Sequence, residues 1–137
     1  MVVEKAVITG NFDIIHPGYV QLFEQLNECS DIQIIMLHTD PSIERPEKLK
    51  PILSVEERKN ILKHFFNRPI FITFTTEDEL YFLLQSVKPD LRLIGEDYVG
   101  KPFTGDDLDI PLKYVSRDHG WSTTKFKTLI SNTINDA

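Results

Sequence analysis

The chain has 137 residues and a mass of 15.9 kDa; 41% of its residues are hydrophobic and 26% are charged. This length suits one domain over residues 1–137, because a domain of ~100–200 residues can bury a core. The formal net charge of −6 argues against a general affinity for nucleic-acid backbone. No apolar run approaches the ~20 residues of a membrane-spanning helix. We therefore expect a cytoplasmic protein without nucleic-acid or membrane partners.

Strand and helix patterns alternate from the start of the chain. Residues 5–9 form a short apolar, β-branched run that ends at Gly10, which is typical of a strand buried on both faces. A helix is predicted next, with Pro17 in its first turn and apolar residues at three- and four-residue spacing. Residues 32–37 read as a second buried strand, and residues 40–53 as a polar loop with three prolines.

The middle of the chain repeats this alternation. Ser54 begins a helix with capping-box spacing, and residues 70–75 form a third strand rich in β-branched and aromatic residues. Thr76 opens another helix with the same spacing, and residues 91–94 form a fourth strand. Strands that alternate with helices in this way indicate a parallel sheet with helices on both sides.

The end of the chain completes the pattern. Residues 95–109 are predicted to be a loop with three glycines and five carboxylates. Residues 113–115 form a short fifth strand, and Ser122 opens a last helix in which Phe126, Leu129 and Ile130 share a face. Ligands of open α/β sheets bind at the carboxyl ends of the strands, so segments that follow strand ends are the candidates for a site.

Residues 10–19 (GNFDIIHPGY) form the first such segment. A glycine turn leads from a buried strand to a helix start, where free N–H groups and the helix dipole favour an anion. Gly18 leaves room for a phosphate near the backbone, and His16 can donate a hydrogen bond to it. A plain strand-to-helix turn explains these residues equally well.

Residues 116–124 (SRDHGWSTT) form a second helix start after a strand. Ser122 and Thr123 offer hydroxyls and amides to phosphate oxygens, and Arg117 adds a permanent positive charge. Ser-Thr-Thr alone is more often a simple helix cap. Two such helix starts in one small domain could hold a polyphosphate between them.

Taken together, these motifs resemble the cytidylyltransferase-like nucleotidyltransferases, and among them the bacterial glycerol-3-phosphate cytidylyltransferases. Members carry GTFD and HxGH after the first strand and RTxGxSTT before the last helix. Lys48, Lys50, Ser54 and Arg58 match further family positions, as does GEDYVGK at residues 95–101. The resemblance implies an α/β fold, a Rossmann-like three-layer sandwich with a five-stranded, mostly parallel sheet of the nucleotidyltransferase type.

The resemblance also implies a reaction. CTP would lie between the two helix starts with Mg²⁺ carried by the triphosphate, and glycerol 3-phosphate or a similar polyol or amino-alcohol phosphate would attack the α-phosphorus and expel pyrophosphate. No metal site made of protein residues is expected, and a homodimer is. The implied catalytic residues are His16, Lys50 and Arg117. The implied acceptor residues are Asp13 and Lys48. The implied nucleotide-binding residues are Gly10, Asn11, Phe12, Gly18, Tyr19, Asp97, Arg117, Gly120, Trp121, Ser122 and Thr123.

The chain departs from the family pattern at two places. Tyr19 replaces the second histidine of HxGH, and its neutral hydroxyl cannot supply a protonated imidazole. Weak activity, or nucleotide binding without turnover, is therefore an alternative. Residues 69–87 contain no Lys or Arg to meet an acceptor phosphate. A third hypothesis is adenylyl transfer from ATP, which relatives with the same motifs perform.

Three further histidines, His38, His64 and His119, match no zinc spacing, so packed or surface positions are expected for them. His119 falls inside the second motif, which places it near the ligand.

Overall fold

The computed structural model describes residues 2–136, which contain five strands and four helices. The strands are β1 Val3–Gly10, β2 Ser30–His38, β3 Pro69–Phe74, β4 Leu91–Gly95 and β5 Leu112–Val115. The helices are α1 Pro17–Cys29, α2 Val55–Leu62, α3 Glu77–Val87 and α4 Thr123–Asn135. Each of these elements was predicted from the sequence. A 3₁₀ helix, Glu96–Tyr98, lies within the segment predicted to be a loop.

The strands form one sheet in the order β3-β2-β1-β4-β5, and all four pairings are parallel. The chain runs outward from β1 to β3 and then returns to β4, which pairs with β1 on its other side. The topological switch point therefore lies between β1 and β4. A crevice is expected there, beyond Gly10 and Gly95 at the carboxyl ends of these strands.

Helices cover both faces of the sheet, which confirms the predicted three-layer fold. On one face Phe23 and Leu26 of α1 and Leu62 of α2 pack into a core cluster with residues of β1, β2 and β4. On the other face Leu80 and Leu84 of α3 pack against β1, β2 and β3. The alternation of side chains along each strand divides the core in this way.

Helix α4 differs from the other helices because none of its residues is buried. Its predicted apolar face is present, but Leu129 and Ile130 remain 44% and 43% exposed. Ser122 caps the helix by accepting the N–H of Lys125. Within residues 2–136, no helix has the length and apolar composition needed to cross a membrane.

Candidate active site

A cavity of about 580 Å³ lies at the carboxyl ends of the strands, where the topology places the switch point. Its walls include Gly10 of β1, Gly95 of β4, and the first turns of α1 and α4. This volume falls within the ~300–1,000 Å³ typical of sites for small ligands. The crevice can therefore hold a nucleotide-sized molecule.

Residues of both helix starts line this cavity, and the two helix starts contact one another. The hydroxyl of Tyr19 shares a 2.7 Å hydrogen bond with Oγ1 of Thr123. The rings of His16 and Trp121 are stacked with their centroids 6.4 Å apart. The structure thus brings together two segments that lie about a hundred residues apart in the sequence.

His16 presents a hydrogen-bond donor to the cavity. Its Nδ1 accepts the N–H of Tyr19 at 3.3 Å, which places the proton of the neutral ring on Nε2. Nε2 is buried and has no hydrogen-bond partner within residues 2–136. Burial, followed by the nearby His119 and Arg117, lowers the pKa of His16 from 6.5 to about 4. His16 is therefore a neutral Nε2–H donor at pH 7.

Arg117 also lines the cavity and brings a cation to it. Its backbone N–H donates to Oε1 of Glu96 at 2.9 Å, and its guanidinium lies 4.0 Å from Oδ1 of Asp97 and 3.4 Å from the carbonyl of Trp121. The side chain is 43% exposed. These contacts orient the guanidinium and leave donors available for an anion.

The predicted site residues divide into two groups. Those that line the cavity are Gly10, Phe12, His16, Gly18, Tyr19, Arg117, Ser122 and Thr123. Those that do not line it are Asn11, Asp13, Lys48, Lys50, Asp97, Gly120 and Trp121.

Asp13 acts as a structural anchor. Its carboxylate is 1% exposed and accepts the N–H groups of Ile52 and Leu53, each at 2.8 Å, and Nζ of Lys127 at 2.7 Å. Burial alone would raise the pKa of this carboxyl, but the bonds from Lys127 and the two amides outweigh burial and lower the pKa. Both oxygens are engaged, so the acceptor role expected for Asp13 finds no free atom here.

Lys48 and Lys50 are exposed on the loop between β2 and α2, outside the cavity wall. Asp13 holds the carboxyl end of this loop, and the buried guanidinium of Arg58 holds its start by donating to the carbonyls of His38 and Thr39 at 2.6 and 2.7 Å. The family match at Arg58 is thus a structural one, because this side chain ties loops together.

Sequence reasoning missed one part of the cavity, which we call the polar arm: His38, Arg45, Glu77, Arg92 and Thr104. Arg92 is 4% exposed, donates to the carbonyl of Thr104 at 2.5 Å, and leaves Nε without a partner within residues 2–136. No carboxylate of the described chain lies within 4.0 Å of its guanidinium. The available signal was an arginine inside an otherwise apolar buried strand.

His38, the last residue of β2, is part of the polar arm. It is 5% exposed, and neither ring nitrogen has a partner within residues 2–136. Ligand atoms of His38, Glu44 and Glu77 lie within 4.8 Å of one another. However, the Glu77 carboxylate already accepts from Arg45 at 3.3 Å and from Thr104 at 2.8 Å. We therefore interpret His38 and Glu77 as hydrogen-bonding groups of the cavity and not as ligands of a metal ion.

Comparison with known proteins agrees with this geometry. The family model described as cytidylyltransferase-like matches residues 7–133, which include both helix starts and most of the sheet. The chain belongs to the cytidylyltransferase-like family. It is therefore a member of a nucleotidyltransferase superfamily, as the motifs indicated.

The relatives found by sequence are longer proteins. The chain is 35% identical over 122 residues to the bifunctional protein HldE of Wolinella succinogenes and 32% identical over 135 residues to that of Helicobacter pylori. These matches cover 88% and 97% of the chain but only 26% and 29% of the relatives. A lipopolysaccharide core biosynthesis protein from Thermoplasma volcanium shares the fold, with a TM-score of 0.60, 22% identity, and coverage of 82% of this chain and 94% of that one.

Proposed function

We propose that the chain transfers a nucleoside monophosphate from a nucleoside triphosphate to the phosphate of a small polyhydroxyl acceptor. The observation that carries this proposal is that two helix starts line one cavity and contact one another through Tyr19 and Thr123. Helix starts favour phosphate groups, and His16 and Arg117 add donors between them. Membership of the cytidylyltransferase-like family supports the same reaction class.

The proposed chemistry needs no covalent enzyme intermediate. An acceptor phosphate oxygen attacks the α-phosphorus in line and forms a new P–O bond, while the bond to the bridging oxygen breaks and pyrophosphate leaves with its electron pair. The protein contributes positioning and stabilisation of charge on the phosphoryl oxygens. His16 Nε2–H and the Arg117 guanidinium are the groups proposed to do this.

Mg²⁺ is proposed to arrive with the triphosphate. Glu77 is the one carboxylate of residues 2–136 that lines the cavity, and it lies in the polar arm and binds Arg45. The phosphates would therefore supply most of the oxygen ligands, and the ion would neutralise charge on the leaving pyrophosphate. Lys48 and Lys50, on the loop between β2 and α2, would also neutralise charge on the pyrophosphate.

The polar arm supports a phosphorylated acceptor that also carries hydroxyls. Arg92 is a buried guanidinium with no carboxylate of the described chain within 4.0 Å, and such a group is stabilised by a bound anion. His38 and Glu77 offer groups that hydrogen-bond hydroxyls. Basic residues for the acceptor phosphate would thus come from β4 and from the loop after β2, and this accounts for their absence from residues 69–87.

CTP is the donor that the sequence motifs favour, and ATP is the second candidate. The relatives found by sequence are HldE proteins and not glycerol-phosphate cytidylyltransferases, so they give no support to CTP over ATP. Both nucleotides are therefore tested. Thermal shift with increasing CTP or ATP separates the two, because only a ligand of the folded state raises stability with concentration.

The decisive test of the proposed function is pyrophosphate release. The chain is incubated with Mg²⁺, CTP or ATP, and a panel of phosphorylated sugars, polyols and amino alcohols. Release that requires both substrates supports the proposal. Saturable nucleotide binding without release for any acceptor would favour the binding-only alternative, and the absence of nucleotide binding would refute both.

A further inference from the structure

Tyr19 stands where the family pattern has a second imidazole, and its side chain is already engaged. Its ring stacks on His16 with centroids 4.0 Å apart, and its hydroxyl bonds Thr123. Burial raises the pKa of this hydroxyl, so it remains neutral. Tyr19 therefore joins the two helix starts. The first turn of α1 lacks the second imidazole of the family pattern HxGH.

His119 occupies the space beside this position. A Cβ built on Gly18 would overlap Cε1 of His119 and lie 2.9 Å from each of its ring nitrogens. The nitrogen-bearing edge of the imidazole therefore rests on the first turn of α1. Gly18 is the residue that permits this contact, because any side chain there would displace the ring. His119 also lines the cavity.

Both imidazoles accept a backbone N–H at Nδ1, so in the neutral form both carry their proton on Nε2. Nδ1 of His119 accepts the N–H of Trp121 at 2.9 Å, so the neutral ring carries its proton on Nε2. His16 has the same arrangement, with Nδ1 bound to the N–H of Tyr19. One backbone amide thus orients each ring, and each ring is left with Nε2–H as a donor.

We propose that His119 is a catalytic residue that donates Nε2–H to a phosphate oxygen of the bound triphosphate, supplying the imidazole that position 19 lacks. The second donor would thus come from the loop between β5 and α4 and not from α1. This inference rests on the proposed function, since it concerns the same triphosphate.

Reciprocal substitution tests the proposal. His119→Ala is expected to lower kcat/KM for pyrophosphate release by about 10²-fold, which is typical of the loss of one transition-state donor. Asp118→Ala removes the exposed neighbouring side chain and should stay within about twofold of the wild type. Adding Tyr19→His to His119→Ala should raise kcat/KM at least about tenfold above that of His119→Ala, because an imidazole is again present beside Gly18.

A binding measurement separates a catalytic role from a structural one. Calorimetry should show that His119→Ala weakens triphosphate binding and leaves the affinity for the free nucleoside unchanged. His119→Gln keeps an amide donor of similar reach and should lose less than His119→Ala. It provides a second variant if His119→Ala unfolds.

Three results would overturn the proposal. They are wild-type kcat/KM in His119→Ala, an equal loss of nucleoside and triphosphate affinity, and no recovery on adding Tyr19→His in a double variant that still binds the free nucleoside with wild-type affinity. Failure of the proposed function looks different, because the wild-type chain itself would then bind no triphosphate and release no pyrophosphate. In that case the role of His119 would fall with it, before any variant is compared.

Discussion

Buried polar atoms without a protein partner mark the cavity at the scale of single residues. Nε2 of His16, both ring nitrogens of His38 and Nε of Arg92 are all of this kind within residues 2–136, and all three residues line the same space. Leaving such atoms unpaired costs about 1–3 kcal/mol each, so the folded chain benefits from a ligand or water that satisfies them. This is why the cavity is better explained by binding than by imperfect packing.

The lowered pKa of His16 makes stability depend on pH. Its folded pKa of about 4 lies below the unfolded value of 6.5, so the unfolded state binds more protons between these values. The stability that comes from neutral His16 is therefore complete above pH 6.5 and is lost as the pH falls toward 4. Burial lowers the pKa of His38 too, which adds to the same trend. Melting temperatures should accordingly fall between pH 6.5 and 4.

A substitution separates the contribution of His16 to this pH dependence from that of His38. His16→Gln should flatten the decrease in melting temperature between pH 6.5 and 4, whereas His64→Gln, at an exposed position, should leave the slope unchanged. Identical slopes in His16→Gln and the wild type would show that His16 is not held neutral in the folded state.

Arg92 should govern the acceptor and not the nucleotide. Replacing its guanidinium with a neutral amide in Arg92→Gln is expected to raise KM for the phosphorylated acceptor by at least about tenfold, because a buried charge-assisted hydrogen bond is lost. KM for the triphosphate should stay within about twofold. Arg68→Gln removes an exposed arginine and serves as the matched control. Steady-state kinetics with each substrate varied in turn would detect the opposite pattern, which would place the acceptor elsewhere.

At the scale of elements, Asp13 joins three parts of the chain: the turn after β1, the end of the loop before α2, and α4 through Lys127. Asp13→Asn removes the charge that pairs with Lys127 and turns an amide donor toward backbone N–H groups. The free energy of unfolding should fall by about 3 kcal/mol, as expected when one partner of a buried ion pair is lost.

Urea denaturation measures this change. Asp31→Asn, at an exposed position, should change the free energy of unfolding by no more than about 0.5 kcal/mol. A loss below about 1 kcal/mol in Asp13→Asn would mean that Asp13 is not a main anchor, and its expected role toward the acceptor would then regain support.

Elements were predictable from the sequence because each carries local signals. Capping-box spacing at Ser54 gave the start of α2, and runs of β-branched residues gave the strands. The 3₁₀ helix Glu96–Tyr98 was not predicted, because three residues are too few to show a periodicity. The observed start of β2 also differs from the predicted one. The strand begins at Ser30 and not at residue 32, because Ser30 pairs with Val3 of β1 although it is not apolar.

The candidate site was only partly predictable because it is assembled from distant segments. The motifs identified both helix starts, since a helix start is a local feature. The polar arm depends on side chains from β2, α3 and β4, and only the packed sheet brings Arg92 and Glu77 to one cavity. Conversely, motif matching placed Asp13 and Lys48 at the acceptor, although the fold directs Asp13 to backbone amides. The contacts of Asp13 are tertiary and are not visible in one sequence, and the role of Lys48 toward the acceptor stays a prediction.

At the scale of the whole molecule, the return of the chain from β3 to β4 creates the site. The switch point beside β1 opens a crevice, and α1 and α4 direct their first turns into it. The homodimer implied by the family resemblance stays a prediction, and sedimentation equilibrium measures it.

The central claim is that the starts of α1 and α4 hold one triphosphate between them. Amide NMR spectra recorded while CTP or ATP is added with Mg²⁺ test this most directly. The amide signals of Gly18 and Tyr19 should shift together with those of Thr123 and Thr124, along one saturation curve with a single Kd. Shifts confined to one helix start, or a different Kd for each, would contradict a shared site.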